Sequence, residues 1–529
     1  MQRLKLAPNW LRFVIIIVLV VGIFFRFYNL DGKVYWHDET YTSLRISGYS
    51  AAEVKQQLLN GQILSKESFA KFQRPNAEKG LGDTIRSLAV EDPQHPPLYY
   101  VIARVWTQIF GNSVIAIRTL SALISLLVFP CTYWLCRELF NVPLSLPVVA
   151  IALISISPIQ LLYAQEAREY ILWVVTILLS SASLLRAMRL DFKHQLESER
   201  ILAWGIYALT LALSLYTFLL SGFVAAAHGI YVLTMKKSQW TKTVEAYWLA
   251  SLAAFVSFTP WIVVVLANFS HFNAATAWTS MQLPLLTVIQ SWLLQISRIF
   301  FDLNFGFENP FSYIITTIFL ILVGYSIYFL CRTTHPKIWL FIITLIAIPA
   351  LPLMLPDLIF GGARSLSDRY LMPSYLGIEL AVAYLLTTQL YNGNLSRRQI
   401  WQTIMALIII GGVVSGFVSS QAETWWSKVI SYGNPQVAKI INHSSQPLLI
   451  SDTFGINYGN VFSLSYLLEP KVKYQFIKDS NISKIPQFSN MFLLNPAEKL
   501  RKGIEKKSKL KAKVVYKDIH YSLFKLVKP

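Results

Sequence analysis

The chain has 529 residues, of which 54% are hydrophobic and 14% charged, with a formal net charge of +19. Soluble domains carry about 25% charged residues, so a soluble protein of this length is excluded. Apolar runs near twenty residues recur along most of the sequence instead, as in a polytopic helical membrane protein. The basic excess gathers at the ends of those runs and in the C-terminal region, which reads as topology signals and contact with anionic lipid rather than nucleic-acid binding. Cys131, Cys136 and Cys331 lie in or beside apolar runs and offer neither a metal-ligand spacing nor a disulfide framework.

Arg3, Lys5 and Arg12 precede the first apolar run, 11–30, which lacks a small-residue cleavage site and reads as a retained helix with a cytoplasmic N-terminus. The loop 31–113 is then extracytoplasmic, and its "YSAAEVKQQLLNG" predicts a short amphipathic helix lying on a surface. Residues 98–110 are apolar but too short to span, and they contain Arg104, so they predict an interfacial helix. Further spans are expected at 114–136, 144–162, 170–188, 201–216, 219–235, 245–266, 311–331, 338–356, 371–390 and 400–418, about eleven in all. The proposed inner turns carry Arg137, then Arg186, Arg189 and Lys193, then Lys236 and Lys237, Arg332 and Lys337, and Arg397 and Arg398. Counting 98–110 as a span would move every later cluster outside. A second amphipathic stretch, 285–300, falls in an outer loop.

From 421 onward the chain is polar. The short runs "PLLIS", "MFLL", "KVVY" and "YSLFKLV" predict a small extracytoplasmic α/β domain. The expected organisation is a transmembrane domain over 1–420, with the first outer loop as part of it, and a soluble domain over 421–529, in the plasma (inner) membrane. The basic final stretch of an external domain has no topological explanation, since the charge rule is weak for long domains.

Three polar clusters reach the same outer face: "WHDET" (36–40), "EDPQHPPLYY" (91–100) with "QEAREY" (165–170), and "GGARSLSDRYLMP" (361–373). Nucleotide sugars stay in the cytoplasm, so an enzyme working outside needs a donor carried by the membrane, and a polyprenyl-phosphate sugar meets that need. Transfer from it requires one carboxylate to remove a proton from the acceptor hydroxyl. It also requires cations to neutralise charge developing on the leaving phosphate. A second carboxylic acid, as in glycoside hydrolysis, is unnecessary because the phosphate is already a stable anion. Asp38 suits the first role; Arg168, Arg369, Arg364 and His95 are candidates for the second.

The acidic pair after the first helix, the loop ending "HPPLYY", then "FGNSVIAIRTLSALIS", "SPIQLLYAQEAREY" and "DRYLMPSY" resemble, in order and spacing over roughly 1–390, the polyprenyl-phosphate-dependent GT-C glycosyltransferases. Within them the chain looks most like the protein O-mannosyltransferase, aminoarabinose-transferase and RgtA-like group. That resemblance implies an inverting glycosyltransferase of glycolipid or envelope biosynthesis acting on a lipid, glycan or protein acceptor. Asp38 matches the family's catalytic aspartate and Glu39 its neighbour, orienting it or binding acceptor. Arg369 and Tyr370 match a late pair near the lipid phosphate, while Glu166 and Arg168 fall at the second-loop acidic or arginine position. Aminoarabinose transferases place a metal-binding Glu and a phosphate-binding Lys before the proline. Gln94 and His95 stand there instead, so no cofactor is implied, a divalent metal is not expected on that pattern, and His95 becomes a phosphate contact.

His37 adjoins Asp38 without having to share its role. Glu379 lies inside a span, where an ionisable group signals either function or a buried partner from another helix. His228 reads as a packing residue. A transporter or flippase of envelope lipids or glycans, and a non-catalytic scaffold, remain as alternatives; neither needs Asp38.

Overall fold

The computed structural model describes residues 9–140, 145–191, 196–391, 394–477 and 488–529. Arg3, Lys5 and Lys193 lie outside the described residues. Nine helices among those described are long and apolar enough to cross a membrane: Asn9–Phe27, Val114–Leu139, Tyr170–Asp191, Glu197–Thr217, Lys242–Ala267, Phe311–Thr333, Pro336–Phe360, Asp368–Tyr391 and Leu395–Ser431. The pair Ser145–Ile156 and Pro158–Ala164, bent by 63°, makes a tenth, and the shorter apolar helix Ser221–Met235 fills the remaining expected position. Proline at the start of the second half explains the bend, because it cannot donate into the preceding turn. The protein is therefore a multi-pass helical membrane protein with a small C-terminal sheet. Leu98–Phe110 forms a helix of 13 residues and is not among the spans.

The chain divides into two compact units. One comprises Met1–Tyr28, Asp92–Tyr99 and Arg118–Ser419. In it Asp368–Tyr391 and Tyr170–Asp191 are the most enclosed spans, with 94% and 89% of their apolar windows buried. Asn9–Phe27 packs closely against Ser145–Ile156 at Gly22, where a Cβ would stand 2.5 Å from the Ser155 carbonyl oxygen. Buried Arg26, one turn further on, donates to the carbonyls of Gly22 and Ser155. It is also the electrostatic counterpart of buried Glu379, which accepts from Gln160 Nε2 at 3.2 Å. One oxygen of this intramembrane carboxylate thus has a partner on another helix, while its Oε1 is buried without a hydrogen bond among the described residues.

The second unit comprises Asn29–Glu91, Tyr100–Ile117 and Ser420–Pro529. Its mixed sheet has the order β2-β1-β3-β5-β4, built from β1 (Pro447–Ser451), β2 (Lys473–Phe476), β3 (Asn490–Leu494), β4 (Lys511–Lys517) and β5 (Ser522–Val527). β1 pairs in parallel with β2 and β3, while β5 runs antiparallel to β3 and β4. Leu44, Tyr49, Val54, Leu58, Phe69 and Phe72 of the first outer loop share one hydrophobic core with Leu449, Phe462, Tyr474, Phe492 and Leu523. The loop is therefore a structural part of the unit that holds the sheet, not of the one that holds most of the spans. Ala51–Leu58 is capped by Ser50, whose side chain accepts from Glu53 N. Its apolar side, Val54 and Leu58, is spent on that core, so it is not free for the bilayer surface that amphipathicity alone suggested. Arg104 is likewise committed, donating to Ile46 O at 2.6 Å and Thr84 Oγ1 at 3.1 Å.

Candidate active site

In the sheet-bearing unit, "WHDET" starts the helix His37–Ser47, placing Asp38 and Glu39 in its first turn, where the helix dipole favours negative charge. Glu39 is fully buried. Its Oε2 accepts from Trp36 N at 3.4 Å and stands 3.8 Å from Nζ of buried Lys428, which also lies over the Trp36 ring. This carboxylate is an anchor for the helix start. Asp38 is different: its side chain keeps 21% exposure, and its Oδ1 lies 3.5 Å from His37 Nδ1. His37 is held from the backbone side, where its N–H donates to Ser431 Oγ at 3.0 Å. Its ring rests against Tyr41 and against Gly459, where a Cβ would come within 2.7 Å of His37 Cδ2.

In the span-bearing unit, "EDPQHPP" and "QEAREY" meet. His95 Nδ1 lies 2.7 Å from Glu169 Oε1, and Arg168 Nη2 donates to His95 Nε2 at 3.3 Å. Guanidinium always donates, so Nε2 accepts and the neutral imidazole carries its proton on Nδ1, the nitrogen nearest Glu169. Arg168 Nη2 also reaches Glu169 Oε1 at 3.4 Å and Tyr170 Oη at 3.3 Å. Burial pushes the Glu169 carboxyl up, but the Arg168 charge and the His95 contact outweigh it and hold the group down to about 2. Arg369, from the start of Asp368–Tyr391, joins this cluster through an aromatic. Arg168 and Arg369 stand 5.5 Å and 5.4 Å from the centre of the same Tyr170 ring, and Arg369 is 5.7 Å from that of Tyr370. Tyr163 Oη donates to Asp368 Oδ2 at 2.7 Å, which fixes the residue before Arg369. Phe218 packs against both Tyr170 and Tyr370.

Two guanidiniums on one ring, with Glu169 between Arg168 and a histidine and buried Asp368 facing the charge of Arg369, make a cluster whose arginine forks have the geometry an anion favours. His95, expected as a phosphate contact, lies between Glu169 and Arg168. Glu166 is buried, and its carbonyl accepts from Arg168 N at 2.8 Å. Arg364 has a carboxylate partner of its own. It pairs with Asp357 at 2.9 Å, while Asp357 Oδ2 accepts from Ser365 N and Oγ, so this arginine braces the loop. Gln94 donates to Asp92. Among the described residues no three His, Cys, Asp or Glu side chains group as a metal ion requires.

The sequence pattern singled out neither Glu169 nor Lys428. Glu169 was visible in "QEAREY" as a carboxylate beside Arg168. Lys428 follows the last span with no motif, and only tertiary packing brings it to Glu39.

The helical spans, the long loop after the first span and the small sheet define the class: a membrane protein of GT-C glycosyltransferase fold. Residues 94–264 match the family model for dolichyl-phosphate-mannose-protein mannosyltransferase. The fold is similar to that of ArnT from Cupriavidus metallidurans bound to undecaprenyl phosphate, with a TM-score of 0.56, 14% identity and 98% of each chain covered. The oligosaccharyltransferase of Archaeoglobus fulgidus in its apo form is also similar, with a TM-score of 0.50, 13% identity, and 87% of this chain and 64% of that one covered. No curated protein matches the chain. The resemblance read from the order of motifs is thus borne out at the level of fold.

Proposed function

We propose that this protein transfers a sugar from a polyprenyl-phosphate donor to a lipid, glycan or protein acceptor on the outer face of the plasma membrane, with inversion at the anomeric carbon. The observation that carries the reading is the pair of guanidiniums, Arg168 and Arg369, gathered on Tyr170. Their planar N–H forks gathered at one place suit a tetrahedral anionic ligand, which would add to the charge of Glu169 and Asp368 already facing them. The similar fold of ArnT, solved with undecaprenyl phosphate, supports a lipid phosphate as that ligand.

In the proposed step the Asp38 carboxylate takes the proton of the acceptor hydroxyl as its oxygen bonds to the anomeric carbon. The bond from that carbon to the phosphate oxygen breaks, and polyprenyl phosphate leaves with the electron pair. Arg168 and Arg369 neutralise the charge that grows there. Glu169 and His95 hold Arg168 in place, and Glu39 with Lys428 holds the helix turn that bears Asp38. The N-terminus is cytoplasmic and the sheet-bearing region extracytoplasmic in this account.

The test compares envelope glycolipids and glycoproteins by mass spectrometry in the wild type, a deletion and Asp38→Asn at equal membrane abundance. Loss of the same single sugar in both mutants, with accumulation of the polyprenyl-phosphate sugar, is expected. If Asp38→Asn behaves as wild type while the deletion does not, transport or scaffolding replaces transfer.

A further inference from the structure

The basic end of the chain takes no part in the proposed chemistry. Between Ala497 and Pro529 stand eleven Lys or Arg against three acids. Lys506 and Lys507 sit in the last turn of Glu498–Ser508 and complement its dipole. That explanation does not reach Lys511, Lys513 and Lys517, which are exposed on β4, the edge strand of the sheet. Exposed ion pairs in this unit use Lys439, Lys471 and Lys502. Among the described residues none involves the three on β4.

A lysine on an edge strand can serve only to block pairing with another sheet. Here the arrangement goes further. Lys513 lies directly opposite Lys525 in the β4–β5 register, and like charges so placed destabilise a sheet. The same edge exposes apolar side chains: Val514 at 48% and, in the β4–β5 turn, Ile519 at 92%. The turn is not a frayed tip. Asp518 Oδ1 accepts from His520 N at 2.7 Å and Tyr521 N at 2.9 Å, and Asp518 Oδ2 accepts from Tyr516 Oη at 3.0 Å. Ile519 is thus presented to the outside by a built turn.

The hairpin is also fastened to the stretch of chain that has just left the last long apolar helix at Gln421. Tyr521 Oη donates to Asn434 Oδ1 at 2.5 Å, and the Tyr516 hydroxyl lies so close to Gly433 that a Cβ there would stand 2.0 Å from it. The hairpin is thus fastened to the segment of its own unit that follows the last span in sequence.

We infer that β4 and its turn form a membrane-surface docking edge, in which Lys511, Lys513 and Lys517 meet the phosphates of anionic phospholipid headgroups while Ile519 and Val514 enter the acyl boundary. Lysine clusters beside a span gain attraction from anionic lipid, and exposed apolar side chains among them add insertion. The surface would hold the sheet-bearing unit against its own membrane.

The full-length chain, reconstituted in nanodiscs of phosphatidylcholine alone or with phosphatidylglycerol, is treated with an amine-acylating reagent and its lysines are quantified by mass spectrometry. Lys471, beyond the opposite edge of the sheet, is the reference. Acylation of Lys511, Lys513 and Lys517 relative to Lys471 is expected to slow at least about threefold with phosphatidylglycerol, and to recover in high salt. Ile519→Asp should weaken that protection. Equal acylation in the two lipids overturns the inference. So does protection by a soluble acidic oligosaccharide but not by phosphatidylglycerol, which would assign the edge to an anionic glycan.

Discussion

Replacing Glu169 by Gln removes one charge and almost no volume from the cluster around Arg168. In the wild type this carboxylate is wholly buried, 2.7 Å from His95 Nδ1 and 3.4 Å from Arg168 Nη2. Its displacement from 4.5 to about 2 corresponds to about 3 kcal/mol of folding stability. The sign follows from a folded value below the unfolded one: the stabilisation is complete at neutral pH and fades as pH falls from about 4.5 towards 2. Gln keeps an oxygen beside His95 but loses the charge that fixes Arg168, and hydrogen bonds to charged groups are worth about 1.5–3 kcal/mol. The reconstituted Glu169→Gln enzyme should therefore lose about 10–100-fold in kcat. The donor KM should change less than kcat, because the cations that attract phosphate remain. Unfolding at neutral pH should come at a lower temperature, with the gap to wild type narrowing in acid. Wild-type kcat, or an effect confined to KM, would refute a positioning role for this carboxylate.

Three other substitutions probe separate parts of the site. Arg369→Lys keeps the charge but loses the planar fork and its stacking on Tyr170, so the donor KM measured by radiolabelled sugar transfer should rise about tenfold. Lys428→Met strips Glu39 of its buried cation and should cost about 3 kcal/mol in a denaturant titration. Adding Glu39→Gln should return most of that loss; a double variant as unstable as the sum of the singles would contradict the pairing. Gly459→Ala forces a methyl to 2.7 Å from His37. It should cost about 1–3 kcal/mol in thermal unfolding, with reduced transfer, through displacement of the turn that carries Asp38.

Hydropathy and the rhythm of basic residues located the membrane helices because both reflect the bilayer, which acts on each span separately. They also kept Leu98–Phe110 out of the set, since its Arg104 has no place in a lipid core. Four of the five strands were visible as short β-type runs. β2, Lys473–Phe476, was not, because four residues of mixed polarity carry too little pattern. Which core the loop after the first span joins was not legible in sequence order, because its apolar residues meet Leu449, Phe492 and Leu523, far along the chain. At the candidate site the residue types were legible and their engagements were not. Glu39, expected to orient Asp38 or bind acceptor, is buried beside Lys428, and Arg364, expected at the phosphate, is paired with Asp357; neither engagement has a signal in the sequence.

The central claim is that the Asp38 carboxylate removes a proton during transfer from a lipid phosphate. Its most direct test is single-turnover release of polyprenyl phosphate by the purified, reconstituted protein, using a polyprenyl-phosphate sugar with acceptor lipids or proteins extracted from the deletion strain. Asp38→Asn is predicted to bind the donor as wild type does and to release polyprenyl phosphate at least about 100-fold more slowly. Release at the wild-type rate by Asp38→Asn would contradict the claim.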